Sequence, residues 1–439
     1  MQKPLIAVLL AGAFFSLNAR AADLLQVYQQ ALANDAAFAS ARASAAAGRE
    51  RITQGRSGLL PTVGINGGIN RGDDETTLWN NARSSSNLTS KEIQVALTQP
   101  LFRWDRWVTY QQSKLQQSIA EAQFAQAQQD LITRVAQAYF DVLAAQDTLA
   151  STQAQKVATT EQLASAKRNF EVGTQTITDT HEAQAAYDLV VSQELAAVND
   201  LENKKTALQA IIGTPPSALA TLRGGLTLKA PEPVNVDQWV SAAENQNYAV
   251  TVGELSLEVA KREISRNRAG HYPTLDLNAS SLHRNINGQT PASARSTSNS
   301  IGVTYSIPIF NGFSVTSRVR EAIALEDKAR NDLETNRRNA ALQARQSFLG
   351  VNTGLAQVKA LEAAEVSSNS ALESNKLGYQ VGVRINIDVL NAQRQLYQTQ
   401  TDLARARYNT ILSGLRLKAA AGSLREEDLQ PINALLQQP

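Results

Sequence analysis

The sequence predicts a mainly helical protein with one small sheet that a single chain cannot close, built from two internal repeats. Three observations predict this. Landmarks of the first half recur about 210 residues later. The stretch from Arg103 to Phe170 contains neither proline nor glycine. Four short segments switch from helical spacing to a strict period of two.

The chain begins with a segment that reads as an export signal. Lys3 supplies a positive start, Leu5 to Leu17 is almost continuously apolar, and Ala19-Arg20-Ala21 fits a small-x-small cleavage site. Cleavage after Ala21 is expected. The full chain has 42 Lys plus Arg against 40 Asp plus Glu. The excess of two lies in the signal, at Lys3 and Arg20, so the mature chain is formally neutral. That balance argues against a basic nucleic-acid binder. The absence of cysteine excludes disulfides and thiolate metal sites. His181, His271 and His283 show no metal-ligand spacing, so neither a metal nor a cofactor is expected. No later stretch is long and apolar enough for a transmembrane helix, which leaves strands as the possible membrane element.

The repeat fixes the order of elements. Leu60-Pro61-Thr62 matches Tyr272-Pro273-Thr274, and Gln99-Pro100-Leu101-Phe102 resembles Ile307-Pro308-Ile309-Phe310. Phe170-Glu171-Val172-Gly173 resembles Tyr379-Gln380-Val381-Gly382. Each half reads as helix, two strands, long helix, break and returning helix. The first helices are expected from Asp23 to Arg56 and from Val236 to Arg268, before Gly58-Pro61 and Gly270-Pro273.

In the strands, Val63, Ile65 and Ile69 alternate with polar or small residues, as do Ile93, Val95 and Leu97. The second half gives Leu275 and Leu277, then Ile301, Val303, Tyr305 and Ile307. One apolar and one polar face fits a half-buried sheet, and equally a lipid face opposite a watery lumen. Asp73, Asp74 and Glu75 are expected in one connecting loop, and Gly288 to Ser300 in the other.

The long helices run from Arg103 to Phe170 and from Ser314 to Leu377, the latter interrupted only by Gly350 and Gly354. Leu131, Val135, Ala138, Val142, Ala145 and Leu149 follow steps of four and three, and Val389, Leu396 and Leu403 repeat every seven, as coiled-coil seams do. Thr178 and Asn386 are placed to cap the returning helices.

Four strands cannot close a membrane barrel, and lipid does not tolerate open strand edges. If the strands cross a membrane, chains share the barrel: two would give eight strands, three would give 12. The pattern itself does not choose.

The whole mature chain resembles the TolC family of outer-membrane efflux ducts. The resemblance rests on Leu25-Gln26-Val27-Tyr28-Gln29-Gln30 after the signal, the paired Pro-Thr strand starts and the proline-containing strand exits. Gly378-Tyr379-Gln380-Val381-Gly382 and Ile387-Asp388-Val389-Leu390 complete it. It implies a homotrimer whose 12-strand outer-membrane β-barrel continues into a periplasmic α-helical barrel. The expected organisation is a signal at 1–21, a first repeat at 22–212 and an inter-repeat equatorial segment at 213–235. A second repeat at 236–420 and an equatorial tail at 421–439 follow. Strand pairs are expected at 62–99 and 274–309, and hairpins at 103–212 and 312–420.

The resemblance also implies site residues. Asp388 matches an aspartate that lines the periplasmic constriction, while Asn391 stands where the family has a second one, so a weaker or rearranged cation block is expected. Thr178, Asp179, Tyr379 and Arg384 match the gate tethers, with Arg384 and the Tyr379 hydroxyl both expected to bond to Asp179. Val172, Gly173, Val381 and Gly382 are the expected adaptor-docking tips, and Pro100 and Pro308 the swivel between barrel and tunnel. The implied partners are outer-membrane lipid, a periplasmic adaptor and an inner-membrane pump of the RND, ABC or MFS type. The function implied is the passive exit duct of a tripartite efflux or type I secretion system, not an enzyme. An exported trimeric coiled-coil rod or adhesin is the alternative; it explains the helices but not the duplicated strand pairs.

Overall fold

The computed structural model describes residues 21–437, apart from 78, 81 and 289–293. The expected export signal therefore lies, but for Ala21, outside the described residues. The first half forms α1 (Leu24–Asn34), α2 (Ala36–Ser57), β1 (Thr62–Thr77), β2 (Arg83–Phe102), α3 (Trp104–Glu171), α4 (Ile177–Ile212) and β3 (Thr221–Leu222). The second half forms α5 (Val236–Gln246), α6 (Tyr248–Arg268), β4 (Thr274–Gly288), β5 (Ala294–Ser306), α7 (Ser314–Gln380) and α8 (Asn386–Ala420), then α9 (Leu429–Asn433) and β6 (Leu436–Gln437). Helices of 68 and 36 residues in one half answer helices of 67 and 35 in the other, so the duplication extends to element length.

Each expected first helix is in fact two. Asp35 adopts an extended conformation and its carboxylate accepts from the Phe38 amide at 2.6 Å, starting α2 afresh. Asn247 does the same for α6, accepting from the Ala249 amide at 2.8 Å. A capping side chain thus outcompetes helix continuation at equivalent points of both repeats.

The chain divides into two compact units. One comprises Ser40–Gln126 and Glu244–Ala340 and contains the larger sheet. Its strand order is β1-β2-β4-β5, antiparallel throughout. The register puts Val63, Leu97, Ala279 and Ile301 in one cross-strand row, and Ile65, Val95, Ser281 and Asn299 in the next. The opposite face carries Asn66, Gln94 and Ser298 with Glu92 and Arg284, which pair at 3.0 Å. The aliphatic face is uncovered within the chain: Ile65 is 74% exposed and Ile301 78%. β1 and β5 each have a strand neighbour on one side only.

The ladder runs further than the sequence suggests. Asp73, Asp74 and Glu75 belong to β1 rather than a loop, because pairing continues to Thr77 opposite Arg83. Gly288 ends β4 and Ala294 opens β5, so most of the second expected loop is strand as well; 289–293 lie outside the described residues. Cross-strand hydrogen bonds here override the low strand propensity of acidic and small residues. Where β2 ends, the register shifts between Pro100 and Phe102, as a residue without an amide hydrogen requires. Arg103 then grips Asp276 with two hydrogen bonds, of 3.1 and 2.5 Å. Pro308 follows the last residue of β5, Ser306.

The other unit comprises Met1–Ala39, Ala127–Ala243 and Ala341–Pro439. It holds most of two helical hairpins, α3 with α4 and α7 with α8. Leu163 and Ala166 of α3 pack on Ala183 of α4, and Leu372 of α7 on Val389 and Leu396 of α8. Of the first predicted seam, Leu131, Val135, Val142 and Ala145 are buried, while Ala138 and Leu149 are half-buried. Gly350 and Gly354 do not interrupt α7. A Cβ at Gly354 would stand 2.4 Å from the Thr410 hydroxyl oxygen and 3.2 Å from its Cβ, so this glycine lets α7 and α8 touch. The inter-repeat segment and the C-terminal tail meet where β3 pairs with β6. Tyr139, fully buried, donates to the Ala220 carbonyl at 2.7 Å.

Buried Tyr408 donates to Asp147 at 2.6 Å. Burial raises the Asp147 carboxyl above the ordinary carboxylate range, and the Tyr408 hydrogen bond and Arg407 only partly oppose it. The folded state therefore holds this proton more tightly than the unfolded one. Stability is expected to fall as pH rises from the ordinary value through the raised one, and Asp147→Asn to flatten that part of a stability–pH profile. Gly354→Ala is expected to cost about 1–3 kcal/mol by overpacking. Gly414→Ala, with open space around it, should be neutral or stabilising in the same thermal unfolding measurement.

Candidate functional site

The two hairpin turns and the helix ends beside them carry the predicted functional residues. Both turns are built alike. Gly173 and Gly382 take φ values of 76° and 78°, a region that L side chains resist. The Thr174 amide reaches back to the Asn169 carbonyl at 2.9 Å, and the Val383 amide to the Gly378 carbonyl at 2.8 Å. These six-to-one bonds satisfy carbonyls that end α3 and α7. No other residue would crowd a side chain at Gly173 or Gly382, so conformation alone demands glycine there. Around the turns Val172, Val381 and Val383 are 72%, 65% and 78% exposed.

The first turns of the returning helices differ from the sequence expectation. Thr176, not Thr178, caps α4. Its hydroxyl accepts from the Asp179 amide at 3.4 Å and donates to the Asp179 carboxylate at 2.8 Å, while that carboxylate accepts from the Thr176 amide at 3.1 Å. Thr176-x-x-Asp179 is a capping pattern that the sequence already displayed. Thr178 is exposed on the first turn. At α8, Ile385 occupies the cap position without a side-chain bond, and Asn386 is the first helical residue.

Asn386 is fully buried and joins three helices. Its carbonyl oxygen accepts from the Gln162 amide of α3, and its amide donates to the backbone carbonyl of Asp179 in α4 at 3.2 Å. A second link connects the hairpins, from the Gln175 amide to the Tyr379 hydroxyl. Tyr379 therefore meets Gln175 rather than Asp179, whose carboxylate is taken by its own cap. Arg384 does not reach Asp179 within the chain either; it pairs with Asp388 at 3.7 Å, one turn along α8. Its stem crosses α7 at Gly378, where a Cβ would approach the Arg384 Cγ to 2.7 Å. Asp388 is half-buried and Asn391 exposed, while Glu182 is half-buried and His181 exposed. At the tips, the links across the hairpins are thus made by neutral amides and a phenol. Nothing in the sequence pattern paired Gln162 with Asn386, which stands 224 positions away.

No group of three or more His, Cys, Asp or Glu among the described residues is arranged to hold a metal ion. No helix among the described residues is long and apolar enough to cross a membrane. The lipid-compatible surface is the aliphatic face of the four strands.

Amphipathic strands with bare edges, joined to long paired helices that end in matching glycine turns, define the protomer of an outer-membrane channel with a periplasmic helical extension. The profile of the family described as "Outer membrane efflux protein" matches residues 27–214 and 239–423, one segment in each repeat. The chain is 35% identical to the outer membrane protein TolC of Vibrio cholerae, over 94% of each chain. It is also 35% identical to TolC of Escherichia coli, covering 99% of this chain and 89% of that protein. The solved CmeC outer membrane channel of Campylobacter jejuni superposes with a TM-score of 0.80 at 18% identity, covering 94% and 90% of the two chains. The chain therefore belongs to the TolC-type outer membrane efflux proteins. It is an outer-membrane exit duct for efflux or type I secretion, a channel rather than an enzyme.

Asn386→Ala would leave the Gln162 amide without its acceptor and remove the added bond to the Asp179 carbonyl, which keeps its helical partner. It is expected to cost about 1–3 kcal/mol, read as faster amide exchange through the first turns of α4 and α8. Thr178→Ala should stay within about 0.5 kcal/mol in the same measurement.

Proposed function

We propose that three copies of the chain form one duct, closed at rest where α8 begins, and fed by a periplasmic adaptor and an inner-membrane pump. The observation that carries the trimer is the sheet: four strands with bare edges and one polar face. Two chains would give eight strands, whose interior is just wide enough for side chains to fill. Three give 12 strands and room for a water-filled passage lined by the Glu92–Arg284 face.

At the tips, Asp388 is the pore residue of this reading. Three copies form an acidic ring that attracts cations, while Asn391 contributes no charge. The Asp388 partnership with Arg384 lowers the field of that ring, so block by cations is mild. Tyr379, Gln175, Gln162 and Asn386 hold the inner hairpin against the outer one, and opening consists of breaking these links rather than any chemical step. Arg384, Asp179 and Thr178 are left to act between copies. Val172, Gly173, Val381 and Gly382 present apolar turns to the adaptor, which the exposure of both valines supports. Pro100 and Pro308 act as the swivel, consistent with a register shift at one and a strand end before the other. The pump, of the RND, ABC or MFS type, supplies the energy, and the lipid is that of the outer membrane.

Single-channel recording in planar bilayers tests the pore assignment. Asp388→Asn is expected to weaken divalent-cation block about tenfold. Unchanged block in that variant contradicts the role given to Asp388. Tyr379→Phe combined with Asn386→Ala should raise conductance several-fold if the neutral links hold the closed state.

A further inference from the structure

We propose that the outward face of the barrel carries a docking site for the phosphate groups of a phosphorylated glycolipid in the outer leaflet, formed by Arg71, Lys91 and Arg295. The inference goes beyond the duct function and uses a part of the molecule that no gating role involves.

The face is defined by register. Leu275 and Tyr305, then Leu277 and Val303, then Val63, Leu97 and Ile301 lie on one side of the sheet. Along β1 and β2, Ile65 with Val95, and then Ile93, extend that side away from the strand ends that join the helices, while β4 and β5 carry Ser281, Asn299, His283 and Thr297 in the same rows. The next row on the same side is Ile69, Lys91, Asn285 and Arg295, and the row beyond it begins with Arg71 opposite Thr89. From the Tyr305 row to the Lys91 row the strands advance about 34 Å, or about 25 Å along the membrane normal at a tilt near 40°. That is the height of the apolar band of an outer-membrane barrel. Lys91 therefore stands where acyl chains give way to headgroups along β2, with Arg295 in the same row beyond polar Asn299 and Thr297 of β5, on the side away from the helices.

Charge complementarity selects the occupant. Lys91 and Arg295 are two strands apart, about 10 Å, and Arg71 lies about 8 Å from Lys91. All three are exposed. Among the described residues none of them enters an ion pair, in contrast to Arg284 on the opposite face, which has Glu92. The acids of the outward face, Asp73 and Glu75, follow one and two rows past Arg71, further from the apolar band. Past the His283 imidazole, which bonds Thr297, the next charged groups on this face are thus cations without an ion-pair partner among the described residues. Lysine and arginine snorkelling at that level present donors to phosphate oxygens, and a lipid carrying two phosphates on one headgroup spans such a cluster. Ile93 and Ile69 beside them offer an apolar path for the acyl chains.

The test uses the full-length purified protein in detergent with bisphosphorylated lipid A, its dephosphorylated form and phosphatidylglycerol as probes, read by native mass spectrometry. Bisphosphorylated lipid A is expected to bind at least tenfold more weakly to R71Q/K91Q/R295Q than to the unmodified protein. Dephosphorylated lipid A should bind both equally weakly, and Arg284→Gln, on the other face, should bind as the unmodified protein does. If the triple variant does not assemble, Lys91→Gln alone is expected to lose about threefold. Unchanged lipid A binding in the variants, or equal binding of the dephosphorylated form to the unmodified protein, overturns the site. Phosphatidylglycerol binding as tight as lipid A overturns the choice of a glycolipid.

Discussion

An unpaired strand edge cannot rest in lipid, and most of this structure follows from that constraint. In a bilayer each bare amide or carbonyl costs several kcal/mol, and no water is present to relieve it. β1 and β5 are such edges, on a sheet whose aliphatic side is uncovered within the chain. Neither feature is tolerable in a solitary molecule. Both are satisfied at once when β5 of one copy pairs with β1 of the next and the aliphatic side turns to lipid. Assembly is therefore a condition of the fold. It also explains why a chain with so few aromatic side chains and no disulfide can be stable.

The helices obey a different economy. Their seams are narrow, made of Ala, Leu, Val and Thr, and at Gly354 the contact tightens until no side chain fits. Such seams hold hairpins together without a thick core. At the tips the seams end, and buried hydrogen bonds between neutral groups replace them. Asn386 is the clearest case, because burying an amide is tolerable only while both of its halves are paired. Links of this kind do not depend on ionic strength as an arginine–aspartate tether would. In the proposed gate, rigid hairpins joined by breakable tip bonds would give the duct two states in one chain.

Much of the architecture was legible in the sequence because it is periodic. The repeat, the proline-free helices, the alternating strands and the glycine turns each leave a pattern that length and spacing reveal. Misreadings fell where one local interaction decided between two good patterns. Asp35 and Asn247 each restart a helix that periodicity carries straight through. Asp73 to Glu75 read as a loop by composition, yet a ladder hydrogen-bonded to Thr77 keeps them in β1. At the tip, Thr176-x-x-Asp179 was visible as a cap and would have shown that the Asp179 carboxylate was already occupied. The contacts of Gln162 with Asn386 and of Gln175 with Tyr379 were not visible, since they join helices far apart in the chain and involve residues common on any solvated helix.

The closure of the sheet between copies is open to direct measurement, because the chain has no cysteine of its own. Asn66→Cys in β1, combined with single cysteines stepped along β5 from Ile301 to Tyr305, reports which residues of neighbouring copies adjoin. Oxidation in native outer membranes should give, at one or two of these positions, a covalent ladder that stops at three chains. A ladder that ends at two chains, or no cross-link between chains at any position, would contradict a barrel closed by three copies.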